Sequence, residues 1–199
     1  MSVGFFMGIA SSYTDEAQES ARALTRAINE ALKSQAVPPY SDPAEPPGVY
    51  ADNLFGRSAL DHDSARLLVA LAELAVNRAG AVHLALLVEN PYRVAFLPVE
   101  LPAPILTTYS ESIAGDDTAI SIGSSLALLR EVIAVAPLLG IPLKNGVLSD
   151  PVAALINDYA ALFPGDTPDP NADQRTTWLL LHEGARLSIA HRVALSLAG

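Results

Sequence analysis

At 199 residues and 20.9 kDa, half of them hydrophobic and 17% charged, the chain can bury one substantial core and is too apolar for a disordered tail. It has no cysteine, which excludes disulfides and thiolate chemistry and suits a reducing cytoplasm. Its formal net charge of −10 repels nucleic acid and anionic lipid and attracts a basic protein, although negative charge also serves solubility alone.

The first cation is Arg22, and the opening apolar run is too short for a bilayer, so Ser2 to Ile9 reads as a strand. No later run approaches membrane-spanning length without a charge, proline or glycine. Thr14, Asp15 and Glu16 offer a cap and dipole-favourable acids for a helix to Lys33, with Ala17, Ala21, Leu24, Ile28, Ala31 and Leu32 as its apolar stripe. Residues 37–50 hold five of the 15 prolines and form a long extended loop. Tyr40 and Tyr50 are its aromatic anchors, to the protein's own surface or to a partner. Ser58 to Gly80 reads as a second helix, with Ser58 and Asp61 at capping-box-like spacing and Leu60, Leu67, Leu71 and Leu74 on one stripe. Val82–Val88 and Arg93–Val99 read as a hairpin turning through Glu89-Asn90-Pro91-Tyr92. Ile105–Tyr109 is a further strand, followed by the acidic loop from Glu111 to Asp117.

Residues 118–146 are the clearest unit. Ala119, Ile120 and Ile122 are β-compatible, Gly123 breaks the run, and Ser124 or Ser125 caps a helix from Leu126 to Leu139. Arg130 and Glu131 are its only charges, so it belongs in the interior. Pro137 kinks or stops it and Gly140 closes it. Ser149, Asp150 and Pro151 begin a helix to Leu162, and Phe163–Pro170 is a loop. Asn171 and Gln174 then open a final long helix covering Arg175–Leu197. The expectation is an α+β fold in one globular domain over 1–199. It has a small four- or five-stranded sheet and about five helices, those near 124–139 and 171–197 forming much of the core.

The charge is uneven. Residues 89–117 have a net charge of −4, and residues 145–173 carry five aspartates and no Lys or Arg. The expected binding face therefore joins Tyr40 and Tyr50, as anchors, to Asp116, Asp117, Asp166 and Asp169, as steering charges. Its partner is a protein with a basic surface, not nucleic acid or membrane, and a homodimer is the alternative.

Gly123-Ser124-Ser125-Leu126-Ala127 resembles, over these five residues, the nucleophile elbow of the α/β-hydrolases. The resemblance implies Ser125 as nucleophile with His182 or His191 as base and Asp150 or Asp158 behind it. The parallel strands and glycine-rich oxyanion loop that the fold needs are missing, and helix capping explains the same serines. His62-Asp63 resembles the paired ligands of HD-domain phosphohydrolases, but no histidine precedes it, so capping by Asp61 or Asp63 explains it better. His182 and His191, nine residues apart, fall on opposite sides of a helix and cannot share a zinc ion. His83 alternates with apolar neighbours and reads as a satisfied core histidine. With no phosphate loop or dinucleotide motif either, neither cofactor nor metal is expected. The leading reading is an acidic cytoplasmic protein-binding module, similar in size and charge to bacterial immunity proteins, which implies an inhibitor of a basic toxin or enzyme. A Ser125 hydrolase and a structural subunit of a homo-oligomer are the alternatives.

Overall fold

The two ends of the chain pair with each other inside one mixed sheet. The computed structural model describes residues 4–9, 15–43, 62–76, 81–89, 93–110, 117–160 and 171–198. Strand β1 (Gly4–Met7) runs antiparallel to the last strand, β5 (Leu195–Ala198), with Met7 opposite Leu195. On its other side β5 pairs antiparallel with β2 (Arg93–Leu97), which lies parallel to β4 (Asp117–Ser124). Strand β3 (Ile105–Ser110) closes the far edge antiparallel to β4, giving the order β1-β5-β2-β4-β3. The α+β class and the five-stranded sheet match the expectation.

Alternation along the strands sends neighbouring side chains to opposite faces, and helices cover both. Helix α1 (Asp15–Ser34) lies on one face, where Ile28 and Leu32 meet Leu97, Ile122 and Ala194. The other face carries Val94, Phe96, Leu195 and Leu197 beneath α2 (His62–Val76), α4 (Ser125–Val135) and α6 (Ala172–His191). Trp178 of α6 is fully buried there, and its indole N–H donates to the Val132 carbonyl of α4 at 2.7 Å.

The central unit follows the sequence closely, with one change at Gly123. Strand β4 runs through this glycine because Phe96, its partner on β2, lies directly over it, and a Cβ there would meet Phe96 Cδ1 at 2.5 Å. Ser124 is the N-cap of α4: its Oγ accepts from the Ala127 N–H at 3.2 Å and donates to the Val99 carbonyl at 2.7 Å. Pro137 sits in a 3-10 turn, Ala136–Leu139, that ends at Gly140 in the left-handed conformation with φ 65°.

Two expected elements are different. Residues 82–85 form turns and Leu86–Glu89 a short helix, α3, so the hairpin partner of β2 is absent and β2 pairs with β5 and β4. The cause is Glu131, whose buried carboxylate accepts from the backbone N–H groups of His83 (3.1 Å) and Leu84 (2.6 Å) and holds the segment off the sheet. The last helix stops at His191. Arg192 takes the left-handed conformation, φ 55°, and Leu-Ser-Leu-Ala then continues as β5. Among the described residues, no helix is long and apolar enough to cross a membrane. Ser58 and Asp61 lie outside the described residues.

Candidate partner-binding surface

The cation-free stretch 145–173 contains helix α5 (Asp150–Ala160) and the first residues of α6. It opens on a tight turn at Asn145-Gly146, both with positive φ, in which Lys144 and Val147 exchange two backbone hydrogen bonds of 3.0 Å. Asn-Gly is the pair such a turn favours, and the turn leaves Val147 64% exposed. Ser149 O accepts from the Val152 and Ala153 N–H groups at the start of α5, and Asp150 in its first turn complements the helix dipole. Ile156 of α5 is buried, with Val152 and Ala153 packed beside it on the core, so the opposite face of the helix looks outward. That face carries Pro151, Ala154 and Leu155, the last 55% exposed, next to Asp150. Asp173, on the next helix, is exposed as well. The surface is therefore acidic with two apolar points, Val147 and Leu155.

Among the expected binding residues, Asp117 is exposed at the start of β4, where its carboxylate accepts from Ser110 Oγ at 2.7 Å. Tyr40 is only 6% exposed and belongs to the interior. The Asn29 side chain holds its backbone from both sides, its hydroxyl bonds the Asp42 carboxylate, and the Ala194 N–H donates to that hydroxyl at 2.6 Å. Tyr40 thus ties the proline segment to α1 and to the approach of β5, which removes it from any partner-facing role. Tyr50, Asp116, Asp166 and Asp169 lie outside the described residues. Sequence reading missed Val147 and Leu155; Asn145-Gly146 was the available signal for the first. Nothing in sequence marked Leu155 as the outward residue among Val152, Leu155 and Ile156.

The hydrolase constellation is not assembled. Ser125 is fully buried and its Oγ shares a 2.6 Å hydrogen bond with Ser188 Oγ. His182 lies six residues before Ser188, about 9 Å along α6, and its Nδ1 is 3.0 Å from Glu183 Oε1. Asp150 stands exposed at the start of α5. The serine packs α4 against α6, and no imidazole is its partner. Among the described residues, no group of three His, Cys, Asp or Glu could hold a metal. The His62 side chain is outside them.

A second polar cluster, around a cleft of about 450 Å³, is structural. His83 Nδ1 accepts from the Ser124 N–H at 3.1 Å; burial lowers its pKa, while a hydrogen bond with the Leu101 backbone acts in the other direction. Burial raises the Glu131 carboxyl, opposed by the Leu84 and His83 N–H groups. At the rim, Arg130 holds both Glu100 oxygens at 2.8 Å, and this fork lowers the Glu100 carboxyl. These groups are occupied with one another.

A family model described as "Putative DNA-mimic protein" matches residues 57–197, well over half of the chain. The chain belongs to this family. The DNA-mimic match includes the whole acidic stretch 145–173 and leaves out β1, α1 and the proline segment with Tyr40 and Tyr50. A DNA mimic offers the charge pattern of DNA to proteins that bind DNA, so the partner is a protein and not a nucleic acid. That finding overturns the reading as an immunity-type inhibitor of a basic toxin or enzyme. Acidic protein binding remains. Comparison with curated proteins and with solved structures finds no match.

Proposed function

We propose that the surface of α5, the Asn145-Gly146 turn before it and the start of α6 occupies the DNA-binding surface of a DNA-binding protein in place of DNA. The observation that carries this is a helix inside the matched region whose exposed outer face begins at Asp150 and is followed by the exposed Asp173, in a stretch of sequence with five aspartates and no Lys or Arg. Helix α5 is about 16 Å long, and that length of duplex carries about nine phosphate charges. Helix α5 itself contributes Asp150 and Asp158, about a fifth of that number, enough to steer a basic surface but not to replace every phosphate contact. Exposed ion pairs are each worth about 0–1 kcal/mol. Val147 and Leu155 add what DNA lacks, apolar area to bury at the centre of the contact.

The test is displacement. Purified DNA-binding domains bound to a fluorescent duplex are titrated with the chain, and one of them should release its duplex. Asp150→Lys combined with Asp173→Lys should abolish the release while the fold persists. A chain that releases duplex from none of a broad panel, or a double variant that works as well as the wild type, would refute the proposal.

A further inference from the structure

Helix α2 packs one side on the core and leaves leucines uncovered on the other. Ala65, Leu68 and Ala72 are buried, whereas Leu67 is 47% and Leu74 78% exposed. At about 100° per residue, Leu67 and Leu74 stand roughly 20° apart around the helix and about 10 Å apart along it, so they form one apolar edge of the outer face. Arg66 and Glu73, both exposed, have the same seven-residue spacing and form the other edge. Between the two edges, midway along them, lies the exposed Ala70. Arg66 and Glu73 are too far apart in sequence for the three- or four-residue pairing that stabilises a single helix. Among the described residues, neither makes an ion pair.

An apolar edge and a charged edge, equally spaced about one small residue, are complementary to their own reverse. We infer that α2 is the contact of a homodimer, in which two copies pack this helix antiparallel about a two-fold axis at Ala70. The symmetry then sets Leu67 of each chain against Leu74 of the other and Arg66 of each against Glu73 of the other. A parallel pair would instead set the leucine edge against the charged one. Ala70 at the crossing brings no bulk, so the axes can reach the close end of the usual separation of about 8–10 Å. The face bears one cation, Arg66, against two acids, Asp63 and Glu73, and lies outside both acidic stretches, so it offers a basic partner little to steer by. Repulsion between two chains of net charge −10 is screened beyond about 8 Å at physiological salt. One 15-residue helix buries less than the roughly 800 Å² per partner of a standard interface, so a weak dimer with a roughly micromolar Kd is expected. Neither α5 nor the stretch 145–173 takes part, and the dimer stands or falls separately from the proposed function.

Sedimentation equilibrium of the full chain, from about 1 to about 500 μM, should show monomer giving way to dimer. Arg66→Glu turns both crossed contacts into acid pairs and Glu73→Arg turns both into base pairs, so each variant should associate about tenfold more weakly. Mixing the two variants restores opposite charges at both contacts, and the equimolar mixture should dimerise as the wild type does. Leu74→Ser should weaken association too, with no rescue by either charge variant. These side chains are exposed, and far-UV circular dichroism checks that each variant keeps its fold. A wild-type chain that stays monomeric throughout, a dimer that both charge variants leave intact, or a mixture no better than its components overturns the inference. Should the chain stay monomeric while Arg66→Glu impairs duplex displacement, the α2 face belongs to the DNA-binding protein and the second copy falls. A dimer that displaces no duplex refutes the proposed function alone.

Discussion

The backbone N–H of Ser124 donates to Nδ1 of His83, a side chain 2% exposed, across 41 residues of chain. The bond joins the start of α4 to the turn before α3 and requires an unprotonated Nδ1. Burial is the larger cause of the lowered His83 pKa. The unfolded chain therefore binds a proton at a higher pH than the folded one, and stability is lost as pH falls from about 6.5 toward the folded value. Glu131 works oppositely: its raised pKa makes its contribution complete below its unfolded pKa and lost as pH rises through the folded value. The His83 part is isolated by comparing wild type with His83→Gln. Thermal unfolding of the wild type should lose stability between pH 7 and 5.5 relative to the variant; parallel curves would show that His83 does not control this window.

Ser125 and Ser188 hold each other in the interface of α4 and α6. Either alanine variant alone strands a buried hydroxyl and should cost about 1–2 kcal/mol, while the double variant should cost less than the sum of the two. A double-mutant cycle by urea unfolding measures the difference. Duplex displacement should be the same in all four proteins, since neither serine faces the partner.

Gly123→Ala places a methyl group inside the ring of Phe96. The expected cost is about 1–3 kcal/mol, as for other overpacked cores. Phe96→Leu in the same chain should recover part of that loss, which denaturant midpoints would show. An alanine variant as stable as wild type would mean that the β2–β4 pair can shift to accommodate it.

Leu155→Ser and Val147→Ser change exposed side chains and should move stability by less than about 0.5 kcal/mol. Each should weaken duplex displacement, without changing its salt dependence, because they remove apolar contact rather than charge. Asp150→Asn should do the reverse, reducing the salt dependence. Displacement curves at two ionic strengths separate the two effects.

Where local chemistry decided structure, the sequence was legible. Ser124 as cap, Pro137 as breaker and Gly140 as terminator each act through their own backbone, and each stands where that chemistry requires. Residues 82–88 were misread because their conformation depends on a carboxylate from residue 131, which no window of neighbouring residues contains. Residues 195–198 were misread because their composition suits a helix, whereas the left-handed Arg192 and the waiting edges of β1 and β2 make them a strand. The acidic stretch was visible as charge, and its aspartates entered the expected binding face. Leu155 was not visible, since which side of α5 faces outward follows from how Ile156 packs. Tyr40 was visible as an anchor, but its attachment to Ala194 joins residues 154 positions apart.

Kinship and independence divide differently along this chain. The segment that carries the family resemblance begins at residue 57, yet Ile28 and Leu32, which cover Leu97 and Ile122, come before it, as does the strand that occupies the free edge of β5. Cut at that boundary, the remainder would keep its acidic helix and lose the roof over one side of its sheet. It would expose apolar side chains and an unpaired strand together, the combination that promotes aggregation. Transplanting the mimic into another protein therefore means moving the first 43 residues with it, although no likeness to other proteins marks them as part of the device.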